Sequence, residues 1–238
     1  MAITLCKIRR GGARLLPLMA VLALSACGTG ESGGLERLSR TLLDSFKQPA
    51  AGAGNITATR ASLQAAGFSD PLIVVALPQA GTRGGMLLTQ TKNGVNLWTA
   101  ADGGSTVQLE RGVLRATSGF GNDLYSADNG PLVQAIGAGE SAQYTRILRH
   151  IDGTAKITKT NYTCVLTREG TESIVVFDRS HDTLRLREDC SAPGVGPDGK
   201  RQSFTNVYWR DKKDTVIWRA QQWISPKLGE MVLERVFR

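Results

Sequence analysis

From Pro71 onward the chain is cut into short apolar or alternating runs by turn residues, and this spacing restricts the folds open to it. An apolar run at 72–77 is bounded by Pro71 and Pro78. Asn93-Gly94 lies between runs at 86–91 and 95–99, the strongest short-range signal for a two-residue hairpin. Asp102-Gly103-Gly104 and Gly112 separate further runs at 106–110 and 113–116. The second half repeats the texture at 144–151, 156–166, 173–178, 183–187, 204–209, 215–224 and 231–237. Glu169-Gly170-Thr171-Glu172 reads as a hairpin tip, Ser180-His181-Asp182 as a turn, 191–202 as a long Pro/Gly loop, and Asp211-Lys212-Lys213-Asp214 as a hairpin turn. About a dozen strands at roughly 8–12-residue spacing predict a mainly β fold, an antiparallel β-sandwich or partly open β-barrel. One or two short N-terminal helices precede it. Leu35, Leu38, Leu42, Leu43 and Phe46 share one face of a helix over 35–48. A second spans 60–66, with Thr59 as its cap and Gly67 past its end. Within the β region, 122–127 and 131–136 read as helical turns or short helices.

The N-terminus carries a different signal. Lys7, Arg9, Arg10 and Arg14 precede an apolar run at 15–24, which ends in Leu24-Ser25-Ala26-Cys27. A basic region, a short apolar core and small residues at the cut make a secretory signal over residues 1–26. The run is shorter than the ~20 residues a membrane span requires. Cysteine directly after the small pair makes a bacterial lipobox: Cys27 would become the first residue and carry diacylglycerol. An acylated amine would add a further chain, and two or more chains give stable anchoring where one does not. Residues 27–34, rich in glycine, then form a flexible tether, and 35–238 a single β-rich domain.

The formal charge of +8 invites a nucleic-acid reading, but four of the 29 basic residues precede Cys27 with no acid among them, which leaves +4 spread without clusters. Export also separates the protein from nucleic acid. The remaining bias favours anionic partners such as an acidic polysaccharide or a membrane surface. Of four cysteines, Cys6 leaves with the signal and Cys27 takes lipid. Cys164 and Cys190 remain, beside runs that read as strands, and an oxidising compartment favours a disulfide between them; two buried free thiols are the other reading. No CxxC occurs and His150 and His181 lie far apart in sequence, so no metal is expected. Gly28 to Gly33 and Gly194 to Gly199 both spell G-x-G-x-x-G, but neither follows a strand and opens a helix, and no dinucleotide or other cofactor is implied besides the covalent lipid.

Catalytic patterns are also missing. Ser180-His181-Asp182 are adjacent, and triad members meet through the fold rather than along a turn. His150, on an alternating strand, reads as a structural residue. The expectation is a protein that is not an enzyme. The densest unusual stretch gathers Tyr208, Trp209, Trp218, Arg219, Gln221, Gln222 and Trp223 on strands expected to pair. Strict alternation puts Trp218 and Gln222 on one face and Gln221 and Trp223 on the other. Exposed, Trp209, Trp218, Arg219, Gln221 and Trp223 suit a glycan or partner contact, because aromatic rings stack on the C–H face of a sugar while polar groups bond its hydroxyls. Packed inside, the same residues are core.

Taken with the lipobox and the cysteine pair, the stretch Gly112-Val113-Leu114-Arg115-Ala116-Thr117-Ser118-Gly119-Phe120-Gly121-Asn122-Asp123-Leu124 and the closing Asn206-x-Tyr208-Trp209 and Trp218-x-x-Gln221 resemble capsule- and exopolysaccharide-production lipoproteins of the YjbF/GfcB type. Ala220 stands where that pattern usually has serine. The resemblance implies a β-rich lipoprotein of the outer membrane, facing the periplasm, in keeping with Gly28 rather than aspartate after the lipidated cysteine. It implies an accessory role with polysaccharide-secretion proteins and no catalytic residues to carry over. The alternatives are a carrier of lipid or another apolar ligand in a half-open barrel, and a glycan-modifying enzyme.

Overall fold

The computed structural model describes residues 59–65, 71–195 and 201–237. The signal segment, Cys27, the tether, the 35–48 helix and Gly67 lie outside the described residues.

Thr59 opens helix α1 (Arg60–Ala65), where its Oγ1 accepts the Ser62 N–H at 3.0 Å while Ser62 Oγ accepts the Thr59 N–H at 2.9 Å. The strands follow as β1 (Leu72–Leu77), β2 (Thr82–Lys92), β3 (Val95–Ala100), β4 (Thr106–Glu110), β5 (Val113–Ser118) and β6 (Asp123–Ala127). Helix α2 (Gly130–Ala138) comes next, then β7 (Ala142–Ile151), β8 (Ile157–Val176), β9 (Arg179–Val195), β10 (Arg201–Asp211), β11 (Ile217–Ser225) and β12 (Gly229–Arg235). The twelve form one antiparallel sheet in the order β5-β4-β3-β2-β1-β12-β11-β10-β9-β8-β7-β6. Each step is a hairpin except β1–β12, and the sheet curls until β5 meets β6 in a nearly closed barrel.

Alternation sets the inside and outside. On β8 to β10, Tyr162, Cys164 and Leu166, Leu186, Glu188 and Cys190, and Phe204, Asn206 and Tyr208 are buried, whereas the residues between them, apart from the buried Val207, are exposed or half-buried. β1 breaks this rule and is buried on both faces. Ile73, Val75 and Leu77 join the barrel interior, while Leu72 and Val74 pack under Leu63 of α1, Val236 and Phe237. A strand covered on both sides reads as an unbroken apolar run.

The seam between β5 and β6 is stitched by side chains. Thr117 Oγ1 donates to Asp123 Oδ1 at 2.8 Å and accepts the Leu124 N–H at 3.0 Å. Gln222 of β11 reaches across to β5, where its Oε1 accepts the Leu114 N–H at 2.8 Å and its Nε2 donates to the Gly112 carbonyl at 3.1 Å. Asn129 Nδ2 donates to the Leu114 carbonyl at 3.0 Å. The stretch that carries the family resemblance, 112–124, is therefore the closing edge of the barrel. Gly119 (φ 90) sits so close to the Gly104 carbonyl that a Cβ would overlap it.

Four sequence expectations are corrected. Residues 123–127 are strand, not helix, whereas α2 does form over 131–136, with Pro131 in its first turn and Gly139 (φ 72) terminating it. Glu169 to Glu172 is not a hairpin tip: β8 runs through it with a bulge between Arg168 and Gly170, and the reversal comes at Phe177-Asp178. Both of those residues are left-handed (φ 47 and 60), the backbone of a tight two-residue turn without the usual Asn-Gly. Ser180, His181 and Asp182 consequently lie on β9, and β9 continues to Val195 where a loop was expected.

Candidate functional site

Pairing between β10 and β11 is regular only up to Val207↔Gln221. Beyond it, Asn206 Oδ1 takes the Trp223 N–H at 2.7 Å, and β11 shifts register against β12 between Trp223 and Ser225. The bulge turns the Trp223 ring in among interior rings, against strict alternation. It stacks on Phe204, with centroids 4.6 Å apart and planes 3° from parallel, and meets His150 and Tyr162 edge-on at 5.2 and 6.2 Å.

These rings underlie a cleft of about 250 Å³ at one end of the barrel, where β7 and β11 finish and β8 and β10 begin. His150, Tyr162, Gln202 and Trp223 line it, with Asn122 from the β5–β6 turn and Ser225 at its edge. Asp152, Lys156 and Lys227 stand on two turns at its mouth. His150 Nε2–H donates to the Ile224 carbonyl at 2.7 Å. Burial holds the His150 pKa below its usual value, against the opposing pull of that bond, so the ring is neutral near pH 7. The Tyr162 hydroxyl donates to Gln202 Oε1 at 3.1 Å, and burial raises its pKa.

Below the cleft the middle of the barrel holds a buried ion pair. Arg146 Nη1 lies 2.9 Å from Glu188 Oε2, with side chains 3 % and 0 % exposed. Glu188 also accepts from Tyr144 Oη at 3.0 Å, Tyr208 Oη at 3.1 Å and Asn206 Nδ2 at 2.6 Å. Arg146 Nη2 donates to Asn129 Oδ1 at 2.8 Å, which links the pair to the seam. Burial and the adjacent carboxylate push both tyrosine hydroxyls well above their usual pKa. For Arg146 burial works the other way, but the carboxylate, the hydrogen bond to it and the two tyrosines together more than offset burial, and the guanidinium is held charged.

Cys164 and Cys190 are directly opposed on β8 and β9 and joined by a disulfide, their Cα atoms 4.1 Å apart. With Glu188 they form a compact trio of potential metal ligands, but the bridged sulfurs have no thiolate to offer.

The five candidate contact residues do not form one patch. Trp209 and Arg219 share the outer face. Trp209 Nε1 donates to Glu172 Oε2 at 2.9 Å, and the Arg185 and Arg219 guanidiniums lie 5.7 and 5.9 Å from its ring centroid. Arg219 pairs with Glu234 at 2.6 Å and donates to the Val175 carbonyl, and Gln221 is held by Glu230. This outer ladder is satisfied within itself. Trp218 is buried under the folded-over β8–β9 hairpin, packed with Ile174 and Val176, stacked on His181 at 3.8 Å and donating to Asp211 Oδ2 at 2.8 Å. Of the five, Trp223 alone lines the cleft.

His150, Tyr162, Phe204, Arg146 and Glu188 were missed as a group. A phase signal was present: Glu188 stands two residues from both Leu186 and Cys190, and Arg146 lies between Tyr144 and Leu148, so each charge falls in a buried set.

Residues 40–236 match the family described as YjbF, group 4 capsule polysaccharide lipoprotein gfcB. A search of curated proteins finds no match. Among solved structures, the hypothetical lipoprotein YmcC of Escherichia coli K12 is similar, with a TM-score of 0.65 and 15 % identity over 76 % of this chain and 89 % of its own, a likeness of fold. The seam, the barrel and a match spanning most of the sequence lead to one conclusion: the chain belongs to the YjbF family of group 4 capsule polysaccharide lipoproteins.

Proposed function

We propose that this lipoprotein is a non-enzymatic accessory factor of surface-polysaccharide production, anchored to the outer membrane through Cys27, facing the periplasm, and holding glycan in the end cleft while the secretion proteins act. The observation that carries this reading is the Trp223 ring, which a bulge turns into a cleft beside His150, Tyr162 and the Gln202 amide. Apolar ring faces next to amide and hydroxyl groups match the alternating C–H and O–H surfaces of a sugar. The common route of glycoside hydrolysis uses two carboxylates across the bond, and the cleft offers Asp152 alone among the described residues. A lipid carrier requires an open apolar lumen, whereas the middle of this barrel is filled by the Arg146–Glu188 network.

Deletion of the protein should abolish secreted polymer, and full-length Trp223→Ala should reach the membrane in normal amount yet fail to restore secretion. Full restoration by Trp223→Ala, or cleavage of the polymer by purified protein, would overturn the proposal.

A further inference from the structure

We infer that the cleft takes one sugar ring bearing a carboxylate, offered as a chain end or a branch. This rests on the glycan reading above and adds the chemistry of the sugar. Size comes first. The volume of about 250 Å³ lies below the roughly 300–1,000 Å³ of pockets that enclose drug-sized molecules, so it has room for a single ring. The floor is closed by Tyr162, 1 % exposed, with the buried Phe204 ring packed against it and against Trp223, so a polymer cannot thread through the barrel and presents one unit at the mouth.

Charge comes second. Asp152, Lys156 and Lys227 are the charged residues that line the cleft, and neither lysine forms an ion pair among the described residues. Asp152 is turned to local use: its Oδ1 accepts the Thr154 N–H at 2.9 Å, the Thr154 hydroxyl at 2.7 Å and the Lys156 N–H at 3.1 Å. The Thr154 bonds hold its pKa below the usual carboxylate value and tie it into the β7–β8 turn. His150 is neutral with its Nε2–H committed to Ile224. Asp152 stays ionised, with Lys156 among the groups that favour its charge, so two lysines against one carboxylate leave the mouth of a cleft with uncharged walls net positive; a carboxylate on the ring edge supplies the remaining counter-charge while the ring face meets Trp223.

The test uses the full chain in detergent, titrated by calorimetry with methyl glucuronide and methyl galacturonide against methyl glucoside and methyl galactoside. The uronides should bind about fivefold tighter at about 50 mM salt, as two exposed charge contacts allow, and lose that margin near 500 mM. Lys156→Gln with Lys227→Gln should remove the margin and leave the neutral glycosides unchanged. Equal binding of both classes, or a margin that survives the lysine changes, sinks the acidic-sugar inference and leaves the glycan reading standing. Affinity that climbs with every added residue of an oligosaccharide sinks the single-ring part. If no saccharide of either class binds, the glycan reading itself fails.

Discussion

The two ends of the barrel are built from the same strands but finished differently. At one end, α2 lies across the opening and sends Leu132, Val133, Ala135 and Ile136 into the core, while Arg210 Nη1 holds the Gly137 carbonyl at 3.1 Å. At the other end no helix among the described residues covers the rings of His150, Tyr162 and Trp223, and turns carrying Asp152, Lys156 and Lys227 stand around them. Between the ends sits the Arg146–Glu188 network, which belongs to neither. The contrast sets a capped end against an open one that carries the proposed glycan cleft, with a polar partition in the middle. With its two edge strands, β5 and β6, held together by side chains, the nearly closed barrel exposes little sheet edge, and its ends are where variation costs the fold least.

The partition gives the largest expected effect. Arg146→Met leaves Glu188 as a buried charge without its counter-ion, which costs about 3–5 kcal/mol and should show as a marked fall in the urea midpoint. A loss below about 1 kcal/mol would mean that the partition supports neither end. Leu132→Ala, at the capped end, removes a side chain 0 % exposed and should cost about 3 kcal/mol in the same measurement. Saccharide binding at the opposite end should stay as it was, and a parallel loss of binding would erase the division of labour. Gln222→Ala strips the seam of partners for the Leu114 N–H and Gly112 carbonyl, for about 1–3 kcal/mol, and amide exchange should rise at Leu114 before it rises on β8.

The smallest effect belongs to His150. Its folded pKa lies below its unfolded value, so above about pH 6.5 both states are neutral and stability is full. As pH falls below that, the unfolded chain takes up the proton first and stability drops until the folded pKa is reached. His150→Phe should flatten this part of the pH–stability curve, and an unchanged slope would place its origin elsewhere.

Much of this architecture was legible in the sequence. Alternating runs and turn residues marked the strands, Asn93-Gly94 gave a hairpin with both residues left-handed (φ 52 and 76), and the Thr59 cap was visible as local chemistry. What stayed hidden depends on phase. Gly170 signals a turn in isolation, but a bulge absorbs it inside β8; Phe177-Asp178 carries no turn signal and yet reverses the chain. Alternation counted along β11 misplaces Trp218 and Trp223, because each lies at a register shift and a shift exchanges the faces. One such misplacement hid the cleft, since it set Trp223 apart from the rings it joins.

The position of the disulfide has a consequence of its own. Cys164 and Cys190 are opposed pair to pair on the longest hairpin of the barrel, two residues from Tyr162 and Glu188 respectively. A slip of one residue between β8 and β9 would point every side chain of one strand to the wrong face. It would bury Asp189 or Arg187 where Glu188 belongs. The sulfurs meet only in the correct alignment, so oxidation checks the pairing before it fixes it. Chains that have closed the bond have the Tyr162 ring and the central carboxylate already on the inside.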